Sequence, residues 1–358
     1  MWQKSTTTHP MNTSSIKHIL VIRLGSLSSA AMCVHALRGL VRDFPELRVT
    51  LLTHSAYEPL FAAVAGVDFL FADQPQYRGL AGKLRLWWHI QRLGADAVAD
   101  LSATPLSRLL SQSLTPWRRR VAHLDKQRLE GKALTRKFRK VMVQRTPLPT
   151  RSRDLFASLG LPFCMPAPVR RTNTSELSHA VEILSGKKRS VWVGASLLSS
   201  HHGTCYPLPL AAELIKLLAS RYERVFVFGD GEYQRQFCEG MQSLYPSTVV
   251  SVAGKLTLSQ QLELLSHLDV VVSIDNNILR LASLVGTPVI SLWGATHPYL
   301  ESSGYGQDPK YAIQCDLPCR PCSTSGRRRC LFGSYECMNS IAPEEVFRRV
   351  KAITGRRK

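Results

Sequence analysis

The chain has 358 residues, 44% of them hydrophobic, with 46 Lys and Arg against 26 Asp and Glu, a formal net charge of +20. Its length favours two domains over one, and the lack of any apolar run of roughly 18 residues excludes a membrane-spanning helix. So large a positive charge calls for an anionic partner such as a phosphorylated glycolipid, a membrane surface or nucleic acid. The chain shows no helix-turn-helix, zinc-finger or RNA-recognition pattern to support nucleic acid.

The first fifteen residues, MWQKSTTTHPMNTSS, are polar and have neither a charged-then-apolar order nor a small-residue cleavage site. Residues 1–15 therefore read as a disordered lead, with Met11 an alternative start, and the protein as cytosolic. Residues 17–24 (KHILVIRL) are a β-branched apolar run, followed by small polar residues and an amphipathic stretch from Ala31 to Phe44. That pattern predicts strand, turn, helix. Strands at 48–54, 67–73 and 96–102 and helices at 57–64 and 80–93 continue the alternation, which predicts an α/β fold with a parallel, doubly wound sheet.

The section from Arg118 to Arg153 interrupts that rhythm with basic residues, and Pro147, Pro149, Pro162, Pro166 and Pro168 punctuate its end and the residues beyond it. The boundary is drawn here, between a first domain at 16–170 and a second at 171–340. A second alternation then runs through strands at 189–195, 224–230, 248–254, 270–275 and 288–294, with helices at 208–220, 232–243, 258–267 and 278–285. Residues 341–358 read as a closing helix and basic tail, the helix opening on Pro343 with Glu344 and Glu345 in its first turn.

Four segments carry chemistry. In VIRLGSLSSAAM (21–32), the small residues after a strand, Gly25, Ser26, Ser28 and Ser29, let backbone N–H groups approach an anion or sugar beside Arg23. VGASLLSSHHGTCYPLPL (193–210) holds His201 and Thr204 after another strand. In SIDNNILRLASLVGTPVISLWGATHPY (273–299), a strand ends on Asp275, and Asn276, Asn277 and Arg280 open a helix, with Thr296 and His297 after the next strand. Strand ends and the helix openings beyond them are where open α/β sheets bind ligands. Residues 315–338 contain Cys319, Cys322, Cys330 and Cys337 at intervals that suit a tetrahedral structural zinc or, equally, free thiols. FGDGEY (228–233) and VAGKLTLSQQLELL (252–265) read as framework, with glycines at strand ends and Ser259 as a helix cap.

Asp275 with LASLVGTP and WGATHPY resembles the sugar-nucleotide segment of the family 9 glycosyltransferases, the ADP-heptose:lipopolysaccharide heptosyltransferases, and the resemblance extends over roughly residues 17–345. It implies the GT-B architecture, two Rossmann-like domains facing a central cleft. It also implies transfer of a heptose or related sugar from a nucleotide-diphosphate donor to the lipopolysaccharide core, at the cytosolic face of the inner membrane. The donor would bind Asp275, Asn276, Asn277, Arg280, Thr204 and His201, with Thr296 and His297 nearby, and the acceptor would bind the turn with Arg23, Gly25, Ser26 and Ser28. No metal cofactor would serve catalysis, since helix N-termini and cations stabilise the leaving diphosphate. The arginine-rich section would attract lipid A phosphates or the anionic membrane.

The chain departs from the family pattern at three positions. Ser29 stands where the family carries its general-base Asp, and a hydroxyl without an activating neighbour cannot take a proton near neutral pH. Either His35 substitutes, or Ser28 and Ser29 serve only as a helix cap. Thr204 replaces a lysine that meets the diphosphate, and Arg280 replaces a histidine, which would make it a permanent phosphate binder compensating for Thr204. Asn277 is expected to keep a left-handed turn. The alternative reading is an inactive homologue that binds a nucleotide or glycan, or acts as a partner protein.

Overall fold

The computed structural model describes residues 16–112, 120–169, 176–300 and 304–355. The expected lead at 1–15 and the first residues of the basic run lie outside them. In chain order the strands are β1 (His18–Ile22), β2 (Arg48–Thr53), β3 (Val67–Phe71), β4 (Ala97–Asp100), β5 (Arg120–His123) and β6 (Trp192–Ser196). They continue as β7 (Arg224–Val227), β8 (Val249–Ser251), β9 (Val270–Ile274), β10 (Val289–Trp293) and β11 (Ala312–Gln314). The helices are α1 (Leu27–Asp43), α2 (Glu58–Phe61), α3 (Gly79–Arg92), α4 (Pro105–Ser111), α5 (Arg128–Leu134), α6 (Leu148–Ser158) and α7 (His179–Ser185). After them come α8 (Leu208–Ala219), α9 (Glu232–Leu244), α10 (Leu258–His267), α11 (Asn277–Leu284), α12 (Glu336–Asn339) and α13 (Pro343–Thr354).

The strands form two parallel sheets, ordered β3-β2-β1-β4-β5 and β11-β10-β9-β6-β7-β8. Each order reverses beside its first strand, between β1 and β4 and between β6 and β9, and a doubly wound sheet opens its binding crevice at such a reversal. β1 and β9 are buried along their whole length, as a parallel strand covered on both faces must be. In the first sheet Leu20, Ile22 and Leu52 pack with Leu86 and Ile90 of α3 and Leu110 of α4. In the second, Val193, Val225, Val272 and Ile290 pack with Leu214 and Leu218 of α8 and Val346 and Val350 of α13.

The chain divides into two compact units, but not at a single cut. The first comprises the residues up to Ser26, Ala36–Lys126 and Pro149–Pro166, and the second Leu27–His35, Gln127–Leu148 and Ala167–Lys358. The segment 127–148 joins the second because its polar groups are bound there. Arg145 N donates to Tyr299 O at 3.0 Å, and Lys140 Nζ donates to the carbonyls of Cys319 and, at 2.8 Å, Pro321.

Two local expectations change. The basic run contains β5, which completes the first sheet against β4, so the strand rhythm continues where charge hid it. The cap of α10 is Thr257 in a capping box with Gln260, not Ser259, which lies inside the helix. Among the described residues no helix is long and apolar enough to cross a membrane.

Candidate functional site

At the reversal in the second sheet, Ser196 and Ser273 are register partners and Asn276 ties the strand ends to α11. Asn276 Nδ2 donates to Ser196 Oγ at 2.8 Å, and its Oδ1 accepts from Ser273 Oγ at 2.9 Å and from Leu279 N at 3.4 Å. Asn276 is thus the N-cap, in extended backbone at φ −146°, and Asn277 is the first helical residue. The left-handed turn expected at Asn277 is therefore not there, because the cap residue makes the turn in ordinary extended geometry. Asn277 Oδ1 instead accepts from Ser28 Oγ at 2.5 Å, within the same unit.

Arg280 is 4% exposed, and its Nη2 lies 3.1 Å from Asp275 Oδ1. The guanidinium expected to meet phosphate is held inside the protein by a carboxylate. Thr204 is also buried, with its Oγ1 donating to His201 O at 3.2 Å and to Ser199 Oγ at 3.1 Å. Gly326 lies over it at φ +74°, where an added Cβ would come within 2.5 Å of Thr204 Cγ2. Thr204 is therefore packed beneath the cysteine-rich loop. The next residue of that loop, the exposed Arg327, donates from Nε to His201 Nε2 at 3.2 Å. This brings a cation to the loop after β6 from the cysteine-rich segment, 126 residues further along the chain.

Thr296 and His297 are buried beside Arg320. Arg320 donates to Gly294 O at 2.5 Å, Thr296 O at 3.1 Å, Gln314 Oε1 at 3.2 Å and Cys315 O, fastening the loop after β10 to the cysteine-rich loop. His297 Nδ1 accepts from Tyr299 N at 3.0 Å, and burial, with Arg320 adding to it, lowers its pKa to about 4. Neutral and enclosed, His297 supports the loop rather than supplying charge.

Cys319, Cys322 and Cys330 each act electrostatically on the Cys337 thiol, which burial raises to about 11. Burial also pushes Cys322 up, whereas at Cys330 the burial effect is outweighed by backbone N–H groups from Phe332 to Tyr335, which hold its thiol below the usual range. The four sulphurs thus share one region. Among the described residues no three metal-competent side chains stand close enough, as they lie, to enclose an ion.

A cavity of about 350 Å³ opens beyond β7 and β8, between the turns 228–232 and 252–254 and the helices α10 and α11. Phe228, Val252 and Ile278 give it apolar surface, and Asp230, Glu232 and Gln261 polar groups. Gly231 (φ +101°) and Gly254 (φ +69°) hold backbone conformations that favour glycine. The sequence showed these glycines, but their turns looked like framework because the strands that bring them together are separated in the chain.

In the first unit Arg23 is buried, with Nη1 donating to Leu101 O, so it braces the strand ends. An added Cβ on Gly25 would fall 2.7 Å from Arg23 Nη2. Ser26 is the N-cap of α1 without a side-chain cap bond, and Ser28 and Ser29 lie inside the helix, so neither is the cap. His35, which like Ser28 and Ser29 belongs to the second unit, is buried with its ring 4.5 Å from that of Tyr305, which removes it from solvent.

The reversal in the first sheet holds a pair that sequence reasoning missed. Asp100, at the end of β4, is register partner to Ile22 on one side and His123 on the other. Its side chain is 0% exposed, and its Oδ2 lies 2.9 Å from Nδ1 of His123, whose side chain is 37% exposed. Asp100 Oδ1 accepts from Ser102 N at 3.0 Å and Ala103 N at 2.8 Å, and Oδ2 also accepts from Ser107 Oγ at 2.9 Å. Ser102 Oγ in turn accepts from Leu24 N at 2.6 Å, so the pair and the turn after β1 share one hydrogen-bonded edge.

Residues 83–332 match the sequence model of glycosyltransferase family 9 (heptosyltransferase). The chain is 20% identical over 294 residues to the lipopolysaccharide core heptosyltransferase OpsX of Haemophilus influenzae, covering 81% of this chain and 82% of that one. Among solved structures it is similar to a glycosyl transferase family 9 protein from Veillonella parvula, with TM-score 0.70, 14% identity and coverage of 95% and 98%. It is also similar to the heptosyltransferase WaaC of E. coli with ADP, with TM-score 0.65, 16% identity and coverage of 94% and 99%. These likenesses assign the two parallel sheets to the GT-B fold.

Proposed function

The chain belongs to glycosyltransferase family 9, the heptosyltransferase family, and from that premise we propose that it transfers a heptose or related sugar from a nucleotide-diphosphate donor to a lipopolysaccharide core acceptor. The observation that carries this reading is the cavity beyond β7 and β8 in the second unit. Its apolar walls suit a nucleoside base, and Asp230 and the Glu232–Arg235 pair in its lining suit ribose hydroxyls. Relatives with similar chains are a lipopolysaccharide core heptosyltransferase and a heptosyltransferase solved with ADP.

For the diphosphate, Arg327 beside His201 supplies the cation that Thr204 does not. The N-terminus of α11 adds backbone N–H groups and the positive end of a helix dipole. Both would stabilise the charge that builds up on the leaving diphosphate. A structural zinc on Cys319, Cys322, Cys330 and Cys337 would brace the loop carrying Arg327, and would have to draw together four sulphurs that do not enclose an ion as they lie. Metal analysis of the purified protein checks that.

For the membrane, the exposed face of α3 offers a surface besides the arginine-rich section, where Lys140 and Arg151 are spent on carbonyls but Arg136, Lys137, Phe138 and Arg139 are exposed. Leu80, Leu84 and Trp88 are 88%, 58% and 48% exposed, four residues apart and opposite the buried Gly82, Leu86 and Ile90. Lys83, Arg85 and Arg92 flank them, and a cavity of about 790 Å³ runs along that side of the helix. An apolar stripe edged by cations fits an anionic lipid surface. Changing Leu80, Leu84 and Trp88 together to Ser is expected to cut sedimentation with phosphatidylglycerol vesicles about tenfold, and unchanged binding removes α3 from this role.

The alternative, a binding protein without turnover, is favoured by Ser29, which puts no acid at the family's base position. Incubation of the protein with ADP-heptose or other nucleotide sugars and a core acceptor decides between the two. Released nucleoside diphosphate supports transfer, whereas micromolar nucleotide binding with no turnover of any donor supports the alternative.

A further inference from the structure

We propose that His123, oriented by Asp100, is the base that takes the proton from the acceptor hydroxyl, a role that the family's Asp plays and that Ser29 cannot play. The inference rests on the transferase reading and on acceptor binding in the first unit. Three observations carry it. The pair lies at the C-terminal ends of β4 and β5, next to the strand-order reversal where a doubly wound sheet binds its ligand. Asp100 is fully enclosed, and its 2.9 Å contact with Nδ1 makes that nitrogen the donor, so in the neutral imidazole Nε2 carries the lone pair. The His123 side chain is 37% exposed, and with Nδ1 turned to the buried carboxylate the ring edge carrying Nε2 faces away from it.

This is the arrangement of a general base backed by an orienting carboxylate. Asp100 is itself fixed by Ser107 Oγ and two backbone N–H groups, so it acts as a positioning residue. The other charged groups along this stretch are Arg120 on β5, Asp125 and Lys126 beyond it, and Arg151 of α6, which donates to Asp125 O at 2.8 Å. In the step, the acceptor O–H bond breaks and its proton passes to His123 Nε2. The hydroxyl oxygen bonds to the anomeric carbon of the donor sugar, and the carbon–oxygen bond to the diphosphate breaks. The electron pair leaves with the nucleoside diphosphate, so no oxidant, reductant or further reactant is required.

The test is release of nucleoside diphosphate from ADP-heptose with a core acceptor, across pH 5.5 to 9. His123→Asn keeps an N–H donor toward Asp100 but has no base. It is expected to lower kcat about a hundredfold, to leave the donor KM within about twofold, and to abolish the acid limb of the kcat/KM profile. A second variant, His123→Ala, is expected to regain rate with added imidazole in proportion to its free-base form. Wild-type rate in His123→Asn overturns the proposal, as does a lowered rate with an unchanged pH profile and no imidazole rescue. Wild-type protein that releases no nucleotide from any donor sinks the transferase reading itself, and the proposal with it.

Discussion

Asp100 and Asp275 occupy matching places in two sheets of matching topology, each at the end of its unit's fourth strand and beside the reversal of strand order. Their partners differ. Asp100 faces His123 at 2.9 Å, and Asp275 faces Arg280 at 3.1 Å. Guanidinium stays protonated at every pH a protein survives, so the Asp275–Arg280 pair is a fixed charge arrangement. Imidazole, unlike guanidinium, has a ring nitrogen that can accept as well as one that can donate, so the Asp100–His123 pair offers an acceptor that the Asp275–Arg280 pair lacks. One framework has thus produced a structural pair in the second unit and a chemically available pair in the first.

The comparison breaks most readily at Asp275. Removing its carboxylate leaves Arg280 buried beside the stub, and losing one partner of a buried pair costs several kcal/mol. Asp275→Ala is expected to lower stability by about 3 kcal/mol, read as a fall in urea midpoint with an unchanged slope. The double variant Asp275→Leu with Arg280→Met is expected to recover much of that, since no charge remains to be desolvated. An unchanged midpoint in Asp275→Ala means that the guanidinium reaches solvent, and Arg280 would again be a phosphate ligand.

The sequence carried the frame of both sites and little of their wiring. The strand ending at Asp275 was visible because VVVSID is an apolar run closed by polar residues, whereas the cap lies at Asn276, one residue before the turn expected at Asn277. His123 was hidden because it lies in a run dominated by arginine, and its carboxylate is 23 residues upstream on a neighbouring parallel strand. Register between parallel strands is set by crossover connections and leaves no local pattern. Arg280 looked like a phosphate ligand because nothing in Asp275-x-x-x-x-Arg280 says that the arginine folds back on the aspartate. The burial of Thr204 under Gly326 and the approach of Arg327 to His201 likewise need the cysteine-rich loop folded onto the strand ends. The capping box Thr257-x-x-Gln260 is legible in the sequence, and it outranks Ser259 because it satisfies two orphan N–H groups at once.

His297 sharpens the contrast from the imidazole side, because it is buried beside Arg320 where His123 has a carboxylate. Burial first, and the cation second, hold its pKa at about 4, below the usual 6.5. The folded state therefore resists a proton that the unfolded chain accepts. Stability from this group is fully present above pH 6.5, falls as pH drops through the window from 6.5 to 4, and levels off below it. Between pH 7 and pH 5 the loss is about 2 kcal/mol, measurable as a fall in urea midpoint that His297→Gln should flatten. An equal slope in wild type and variant would show that His297 is open to solvent.

The smallest expected effect bears on which arginine serves the donor. If Asp275 neutralises Arg280, the diphosphate depends on Arg327, an exposed side chain held by His201 Nε2. Arg327→Ser should then reduce kcat/KM for the donor about tenfold, roughly 1.4 kcal/mol. Arg327→Lys should recover part of it, because a point charge replaces the guanidinium fork without its second hydrogen bond. The loss should fall more on kcat than on KM if the guanidinium follows the charge developing on the leaving diphosphate, since only binding that strengthens in the transition state raises kcat. Unchanged kinetics in Arg327→Ser would reduce the Arg327–Arg329 run to surface charge. The second unit would then need its phosphate cation from Arg280 after all, and the two strand-end carboxylates would differ less than their geometry indicates.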